Sequence, residues 1–285
     1  MKIETGTLSP GLYFVATPIG AARDITLRAL DVLASADVLV AEDTRTLKHL
    51  LRLHGITLGD RPVLAYHDHS GPETRDRIVA RIAEGRAVAY ASEAGTPLVA
   101  DPGYQLGRAA IDAGLPVTTA PGPSAAIAAL TVSGLPSDRF LFAGFAPNAG
   151  GPRRKWLRDL AGTDATQIVY ESPRRLAAFL ADLATTHGAD RPVVICRELT
   201  KKFEEVRRGT AGNLATALKD QPVKGEVVVL IARAEAQVAD EDTIDAALDA
   251  ALERLSVKDA AAEVAAALNL PRRQVYQAAL TRAKK

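Results

Sequence analysis

Cysteine, methionine and tryptophan each occur only once in this chain of 285 residues. Cys196 therefore has no partner in the chain for a disulfide, and no cluster of thiols offers a zinc site. The sequence also lacks any apolar run of the ~18 residues that a membrane span needs. Met1 and Lys2 are not followed by an apolar segment, so we expect no signal peptide, no membrane association and a cytoplasmic location.

The sequence has almost no excess charge of either sign. Thirty-five Lys and Arg residues face 34 Asp and Glu residues, which leaves a formal net charge of +1. This balance excludes a uniformly basic coat for nucleic acid, but it permits local basic patches. The 47% hydrophobic and 24% charged content excludes a wholly disordered or fibrous chain. At roughly 150 residues per domain, the length predicts about two domains.

The pattern of residues 1–121 predicts an α/β domain. Short apolar runs alternate with helical patterns, which is typical of a mainly parallel sheet covered on both faces. The predicted strands are 12–16, 38–41, 62–66, 87–91 and 117–120, and the predicted helices are 25–36, 44–54, 73–84 and 104–113. Two prolines and a glycine at 121–123 predict the boundary of this domain.

The remaining chain divides into a second α/β domain over 122–235 and a helical tail over 240–285. Short connections in the second domain favour more antiparallel pairing. Its predicted strands are 140–145, 167–170, 193–197, 204–210 and 226–232, and its predicted helices are 154–161, 174–186 and 213–219. The tail begins acidic, ends basic and has the spacing of three short helices, with an acidic first helix facing solvent and Pro271 opening the last. It is either a module whose last helix faces nucleic acid or a helical lid over an α/β domain or a dimer partner.

Three loops rich in small residues follow strands of the first domain. They are Thr17–Asp24, Ser92–Tyr104 and Pro121–Ala126. The carboxyl ends of parallel strands are where α/β folds bind ligands, and glycine lets a ligand approach the backbone closely. The first and third loops alone are equally well explained as connecting turns, whereas the length of the second favours a functional role. The three together favour a ligand site. None contains the GxGxxG fingerprint of dinucleotide-binding folds.

Charged and imidazole side chains near other strand ends admit two interpretations each. His67 and His69 fall on one face of an extended segment, but no third ligand is evident, so we predict no metal site. Glu42-Asp43-Thr44-Arg45 either caps a helix or faces a substrate. Basic residues gather at 153–155, 174–175 and 197–208, where arginine suits phosphate contact and a solvated surface is the alternative.

Ten short motifs occur in a characteristic order. They are TPIG, AEDTR, HDHS, SEAGTP, DPGY, PGPSAA, GLPSDRF, YESPRR, RELTK and KGE. Over nearly the whole chain, this order resembles the ribosomal RNA small subunit methyltransferase I family of the tetrapyrrole methylase superfamily. The chain departs from the family at Ala21-Ala22, where the family usually has Asn-Leu, at Glu93, where it has Asp, and at Arg174, where it often has His.

The resemblance implies a fold, a cofactor and a substrate. The fold is two tetrapyrrole-methylase-like α/β domains with S-adenosylmethionine (SAM) in the cleft between them, plus a small helix-turn-helix-like C-terminal module. The reaction is 2′-O-methylation of a cytidine ribose in the decoding region of 16S rRNA within the 30S subunit, by a homodimer. The expected cofactor-binding residues are Pro18, Gly20, Ser92, Glu93, Ala94, Gly95, Thr96, Asp101, Ser124, Ala125, Ala126 and Tyr170.

Methyl transfer from a sulfonium needs alignment of donor and acceptor and no metal. A ribose hydroxyl is a poor nucleophile and benefits from a positioned base. The candidates are Asp43, His67 and Glu171, whose structural alternatives are a helix cap, a polar strand end and a salt bridge to a nearby arginine. The expected contacts with RNA phosphates are Arg153, Arg154, Lys155, Lys201, Lys202, Arg272, Arg273 and Arg282.

Two other functions stay open from the sequence. A tetrapyrrole C-methylase shares the fold and the methyl donor, although its substrate does not need long basic segments. A ribosome-assembly factor that binds RNA without methyl transfer is the other, because Ala21, Ala22 and Glu93 depart from the family pattern at the expected cofactor loops.

Overall fold

A computed structural model describes residues 3–234, 241–268, 270 and 272–282. The chain forms two compact units. The first comprises the residues up to 161 together with 166–232, and the second comprises 162–165 together with the residues from 233 onward. Within the described residues, no helix is long and apolar enough to cross a membrane.

The first sheet is formed by β1 (Gly11–Val15), β2 (Val38–Ala41), β3 (Val63–Ala65), β4 (Ala87–Ala91) and β5 (Val117–Ala120). Its strand order is β3-β2-β4-β1-β5, and all pairs are parallel, which confirms the predicted parallel sheet. Strands β2 and β4 are buried along their whole length, as expected for strands covered on both faces. All five strands therefore end at one edge of the sheet.

Four helices cover the first sheet: α1 (Leu27–Ser35), α2 (Thr44–Leu53), α3 (Pro72–Ala83) and α4 (Tyr104–Asp112). Helices α1 and α2 pack on one face, where Leu33 and Leu51 belong to the core. Helices α3 and α4 pack on the other, where Ile78 and Leu106 are buried. This arrangement leaves the loops at the carboxyl edge free to form a site.

The second sheet is formed by β6 (Phe140–Phe145), β7 (Thr166–Glu171), β8 (Pro192–Arg197), β9 (Glu205–Thr210) and β10 (Val227–Ile231). Its order is β6-β7-β10-β8-β9, and only β6 and β7 are parallel, which confirms the expected antiparallel pairing. Helices α5 (Ala125–Ser133), α6 (Gly150–Leu160), α7 (Leu176–His187) and α8 (Ala211–Leu218) complete the first unit.

The two faces of the second sheet have different partners. Helices α6, α7 and α8 bury one face, with Phe179 and Leu180 at its centre. Helix α5 covers the other face, where Ala129 packs with Ile168 and Leu230. Because α5 directly follows the 121–123 break, this packing brings that loop and the second sheet together.

The second unit contains α9 (Glu241–Leu252), α10 (Val257–Ala267) and α11 (Arg272–Arg282), which confirms the three predicted helices. Ile244, Leu248, Val264 and Val275 form their shared core. The acidic first helix does not simply face solvent, because its Asp245 and Asp249 bind a cation of α11, as described below. Pro271, Lys284, Lys285 and the predicted boundary at 235–240 lie outside the described residues, and the domain limits stay predictions.

Candidate active site

A cavity of about 370 Å³ lies between the loops at the carboxyl edge of the first sheet and the second sheet. This volume falls within the ~300–1,000 Å³ typical of small-molecule sites. Aliphatic side chains and one aromatic pair form most of its wall, with few polar groups. The lining residues are Ile19, 94–96, Val99, Ala100, Ser124, Ala125, Phe145, 170–173, Cys196, Leu199 and 225–228.

Hydrogen bonds join the three small-residue loops predicted from the sequence. The backbones of Thr17 and Gly95 exchange two hydrogen bonds of 3.0 Å, and the Thr17 hydroxyl donates to the Ser92 carbonyl at 3.0 Å. The Thr96 hydroxyl donates to the Pro123 carbonyl at 2.8 Å. The loops that follow β1, β4 and β5 therefore form one connected surface on one side of the cavity.

The loop after β4 has an unusual backbone. Leu98 (φ 70°) and Ala100 (φ 56°) adopt positive φ, which L-residues other than Asn and Asp seldom do. Asp101 holds this conformation by accepting hydrogen bonds from the Gly103 amide and the Tyr90 hydroxyl, each at 2.9 Å. Strained backbone of this kind is concentrated at functional sites. Asp101 therefore stabilises the conformation of the loop and does not line the cavity.

An aromatic pair forms the opposite wall. The ring of Tyr170, at the end of β7, packs edge-on against Phe142 (4.9 Å between centroids) and Phe145 (5.5 Å). Phe145 is 57% exposed although it is large and apolar. Burial raises the pKa of Tyr170, while a hydrogen bond with the Ala126 backbone lowers it. These rings offer a flat apolar surface for a planar ligand group.

Glu171, the next residue, lines the cavity and has a buried carboxylate. Its side chain is fully buried; Oε1 accepts from the Ser172 amide at 2.6 Å and from the Arg175 guanidinium at 2.5 Å. Oε2 has no hydrogen-bond partner among the described residues. Burial raises the pKa of Glu171, and the Ser172 amide and Arg175 oppose that shift. The salt bridge considered from the sequence is present, but it satisfies only one oxygen.

The loop after β8 closes the cavity on a third side. Glu198 (φ 51°) and Thr200 (φ 64°) also have positive φ. The Ala21 amide donates to the Thr200 hydroxyl at 3.0 Å, so this loop contacts the loop after β1. A Cβ on Gly20 would lie 2.6 Å from Lys201 Cγ and 2.7 Å from Thr200 Oγ1. Gly20 is therefore required for the contact between the two loops.

The structure divides the predicted cofactor-binding residues into two groups. Those that line the cavity are Ala94, Gly95, Thr96, Ser124, Ala125 and Tyr170. Pro18, Gly20, Ser92, Glu93, Asp101 and Ala126 do not line it. Ala126 is buried against the second sheet, and Glu93 is exposed at the sheet edge. The assignment of all twelve to the cofactor stays a prediction, and Gly20, Ser92 and Asp101 are seen to shape the loops.

Several lining residues were not predicted from the sequence. Phe145 and Leu199 lie on segments far along the chain from the three loops, and Cys196 lies inside a buried strand. The RELTK and KGE motifs were the signal for two of these segments, since they supply Leu199 and residues 225–226. No local sequence pattern indicated that Phe145 would line the cavity.

The other two candidate bases lie outside the cavity. Asp43 is the N-cap of α2 and accepts from the Arg45 amide at 2.8 Å. The Arg45 side chain lowers the pKa of Asp43 to about 2, which makes the carboxylate a weak base and matches the capping alternative. His67 is exposed, with its ring 6.2 Å from that of His69. Within the described residues, no group of three His, Cys, Asp or Glu side chains is arranged to hold a metal.

Glu42 follows the same strand as Asp43 but has different surroundings. Burial raises the pKa of Glu42, and the nearby carboxylates of Glu93, Asp101 and Asp68 raise it further. A higher pKa makes Glu42 the stronger base of the two neighbours. The sequence showed Glu42 and Asp43 side by side, but it did not show that other carboxylates lie near Glu42 in the fold.

The structure narrows the predicted phosphate contacts of the first unit. Arg153 is 7% exposed, and its guanidinium binds Asp182 at 2.7–2.8 Å, so it is unsuited to phosphate contact. Lys201 is held by Glu198 and Glu226, both at 2.9 Å. Three predicted cations remain exposed: Arg154, Lys155 and Lys202. Two of these also pair with carboxylates at the surface, Arg154 with Asp182 at 3.2 Å and Lys155 with Asp159 at 2.8 Å.

One predicted phosphate contact of the second unit, Arg282, is also held in ion pairs with carboxylates. Arg282 binds Asp245 and Asp249 of α9, the second through its Nε at 2.7 Å. Its charge therefore holds α11 to α9. Arg272 and Arg273, at the start of α11, are exposed.

Solved structures of other enzymes have a fold similar to that of this chain. The chain superposes on cobalt precorrin-4 methyltransferase, a cobalamin biosynthetic enzyme, with a TM-score of 0.58 at 20% identity, covering 78% of this chain and 94% of that one. Diphthine synthase gives a TM-score of 0.60 at 18% identity, over 78% and 89% of the two chains. At these identities, the likeness shows the fold.

The family model of the tetrapyrrole (corrin/porphyrin) methylases matches residues 11–215, which defines this α/β unit and its cleft as those of a tetrapyrrole methylase. Residues 238–283 match the model of the RsmI C-terminal HTH domain. The ribosomal RNA small subunit methyltransferase I of Mesorhizobium japonicum is 48% identical over 266 residues, covering 93% of this chain and 89% of its own. That of Xylella fastidiosa is 44% identical over 94% and 98% of the two chains.

The chain therefore belongs to the ribosomal RNA small subunit methyltransferase I family, within the tetrapyrrole methylases. Membership makes it a SAM-dependent methyltransferase.

Proposed function

We propose that this chain transfers the methyl group of SAM to the 2′-hydroxyl of a cytidine in the decoding region of 16S rRNA, on the 30S subunit. The observation that carries the proposal is the cavity between the two sheets. It is lined by small-residue loops on one side and by Tyr170 and Phe145 on the other. The names of the relatives indicate the RNA of the small ribosomal subunit as substrate.

The cavity has the chemistry that SAM requires. The aromatic pair and the aliphatic side chains of Ile19 and Leu199 suit the adenine ring. The first turn of α5 brings backbone amides to the wall at Ser124 and Ala125, and such amides bind a carboxylate. The Ser124 side chain makes no cap hydrogen bond, so its hydroxyl is available to a ligand. The loop containing Gly95 lets the cofactor approach the backbone.

When bound, SAM would supply a methyl group on a positively charged sulfur: the attacking oxygen would bond to the methyl carbon as the carbon–sulfur bond breaks and the neutral sulfide leaves. The residues of the chain then have two tasks. They hold the donor so that its methyl faces the acceptor hydroxyl, which supplies much of the acceleration. They also accept the hydroxyl proton, for which the exposed edge of the first sheet offers His67 and Glu42. We assign no proton transfer to Asp43, because its charge is committed to the N-terminus of α2 and to Arg45.

The proposed RNA contacts lie on both units. Arg154, Lys155 and Lys202 are the exposed cations of the first unit among those predicted, and Arg272 and Arg273 are those of the second. In helix-turn-helix modules, one helix faces nucleic acid, and the match over 238–283 supports this role for α11.

We extend the proposal to a homodimer in the cytoplasm. The edge strand β6 exposes Phe140 (46%) and Leu141 (38%). Exposed apolar surface of this kind is typical of protein interfaces. Sedimentation at micromolar protein concentration tests the dimer directly.

Transfer of tritium from methyl-labelled SAM to purified 30S subunits tests the proposed reaction. We expect labelled 16S rRNA and, after digestion, 2′-O-methylcytidine as the labelled nucleoside. A matched reaction with 50S subunits is the control. Label on a base, or no label on rRNA, would contradict the proposal.

Two outcomes of the same assays would favour the alternative functions. A chain that binds RNA but gives no calorimetric signal with SAM would be a non-catalytic assembly factor. A chain that labels a porphyrinoid rather than rRNA would be a tetrapyrrole C-methylase. Ion pairs with carboxylates remove Arg153, Lys201 and Arg282 from the predicted phosphate-binding surface. The five predicted cations that are exposed still favour RNA as the substrate.

A further inference from the structure

We infer that Glu171 accepts a hydrogen bond through Oε2 from a donor group of the bound cofactor, and that Arg175 is a positioning residue for this carboxylate. The inference rests on the proposed function and adds a ligand contact to it. It assigns Glu171 to cofactor binding rather than to proton transfer from the acceptor.

The carboxylate is held rigidly from one side. Oε1 accepts from both the Ser172 amide (2.6 Å) and Arg175 (2.5 Å). Arg175 is fixed in turn, because its NH1 donates to the Ala146 carbonyl at 3.3 Å and to the Asn148 side chain. The contacts tie the loop after β7 to the loop after β6. The orientation of Glu171 is therefore set before any ligand arrives.

The second oxygen differs from the first in its surroundings. Glu171 is one of the residues that line the cavity, its side chain is fully buried, and Oε2 bonds to none of the described residues. Buried carboxylate oxygens are normally satisfied, and each exception calls for a physical reason. A purely structural ion pair would engage both oxygens, as Asp182 does with Arg153 and Arg154. A buried carboxylate oxygen without a partner, on a residue that lines the cavity, instead indicates a ligand contact.

The cofactor carries suitable donors at both ends. The amino-acid end has an ammonium group, and the adenosine end has a 6-amino group and ribose hydroxyls. Each can donate to a carboxylate oxygen, so the shared chemistry is an N–H or O–H group directed at Oε2. The sulfur itself has no hydrogen to donate.

Glu171→Gln is the sharpest variant. Two donors fix the side chain at Oε1, so the amide oxygen of Gln takes that place and its NH₂ group falls where Oε2 lies. The NH₂ group of Gln then faces the N–H or O–H group of the cofactor, and two donors cannot form a hydrogen bond with each other. We expect the dissociation constant of S-adenosylhomocysteine, measured by calorimetry, to rise about tenfold or more.

A second ligand identifies the end of the cofactor that Glu171 contacts. 5′-Methylthioadenosine keeps the adenosine but lacks the ammonium group. An equal loss of affinity for both ligands supports a contact with adenosine, and a loss for S-adenosylhomocysteine alone supports a contact with the ammonium group. Unchanged affinity for both overturns the inference, whether or not methyl transfer is lost.

Three further variants separate a hydrogen bond at Oε2 from a general disturbance of the loop after β7. Arg174→Ala removes the exposed neighbouring arginine and should leave the affinity unchanged. Arg175→Lys keeps the positive charge but loses the planar guanidinium group that orients the carboxylate. We expect it to lower the affinity less than Glu171→Gln does. Glu171→Asp retracts the oxygen by one methylene; it should also weaken binding and serves if the Gln variant does not fold.

The same titrations distinguish failure of the inference from failure of the proposed function. A wild-type chain that binds neither ligand contradicts the proposed function. A wild-type chain that binds S-adenosylhomocysteine no better than the Gln variant contradicts only the role of Glu171.

Discussion

Single residues of the cavity are constrained by their neighbours, as two glycines illustrate. Gly95 (φ 81°) and Gly85 (φ 86°) have nearly the same backbone conformation. A Cβ on Gly95 would lie 3.2 Å from Ile19 Cγ2, whereas one on Gly85 would meet nothing within 4 Å. The strain of positive φ is therefore common to both positions, and crowding occurs only at the cavity.

This pair gives a matched test of the cofactor loop. We expect Gly95→Ala and Gly85→Ala each to lower the free energy of unfolding by about 1–2 kcal/mol, the cost of left-handed backbone for an L-residue. Only Gly95→Ala should also weaken the binding of SAM, because it displaces Ile19 at the cavity wall. Equal affinities of the two variants for SAM in calorimetry would place the cofactor elsewhere.

Residue types were easier to predict than residue roles. The sequence marked Glu171, Asp43 and Arg153 as functional candidates, but their roles depend on other side chains. Asp43 has its partner two residues away, and the helix-cap alternative was visible. Arg153 is neutralised by Asp182, 29 residues further on, and no local pattern shows this pairing. Partners distant in sequence decide which charges are free.

At the scale of elements, α7 contains a buried histidine that links stability to pH. His187 ends the helix; its Nδ1 lies 3.1 Å from the Thr186 hydroxyl, and Nε2 has no partner among the described residues. Burial lowers the pKa of His187 to about 4, and the positive charge of Arg191 adds to this shift. The unfolded chain, with a histidine pKa near 6.5, thus binds the proton more readily than the folded chain.

Acidification should therefore destabilise the fold through this side chain. The stabilisation is present above the unfolded pKa and is lost as the pH falls below it toward 4. Between pH 7 and pH 5, we expect the loss to be about 2 kcal/mol. The measurement is urea unfolding of the wild type and of His187→Leu at both pH values. The exposed His49→Leu is the control and should keep the wild-type pH dependence.

The elements themselves were predicted almost completely, since their signals are local. The run Val38–Ala41, for example, is apolar throughout and forms a buried strand. The order of strands was not predicted, because it depends on contacts between segments far apart. The pairing of β7 with β10 and the packing of α5 on the second sheet are examples. The cavity forms from those contacts, so its full lining was beyond local patterns.

At the scale of the whole molecule, the cavity and the helix-turn-helix module belong to different compact units. All residues that line the cavity lie in the first unit. The proposed cofactor site and the proposed RNA contacts of α11 are therefore separable by substitution. Arg272 and Arg273 are exposed at the start of α11, whereas Arg282 is needed to hold α11 against α9.

Replacing Arg272 and Arg273 together by Ala should weaken binding to 30S subunits and leave the affinity for SAM unchanged. Phosphate contacts release counterions, so we expect the slope of log affinity against log salt to fall by about 2, one for each cation. Lys258→Ala removes an exposed cation of α10 and is the control.

A chain that ends near residue 240 extends the test, since it keeps every cavity residue and should bind SAM but methylate 30S subunits poorly. Full methylation by that shortened chain would show that the module is dispensable for recognition, and loss of SAM binding would show that it supports the α/β unit. An unchanged salt slope in the double variant would mean that these arginines are surface charges without an RNA contact.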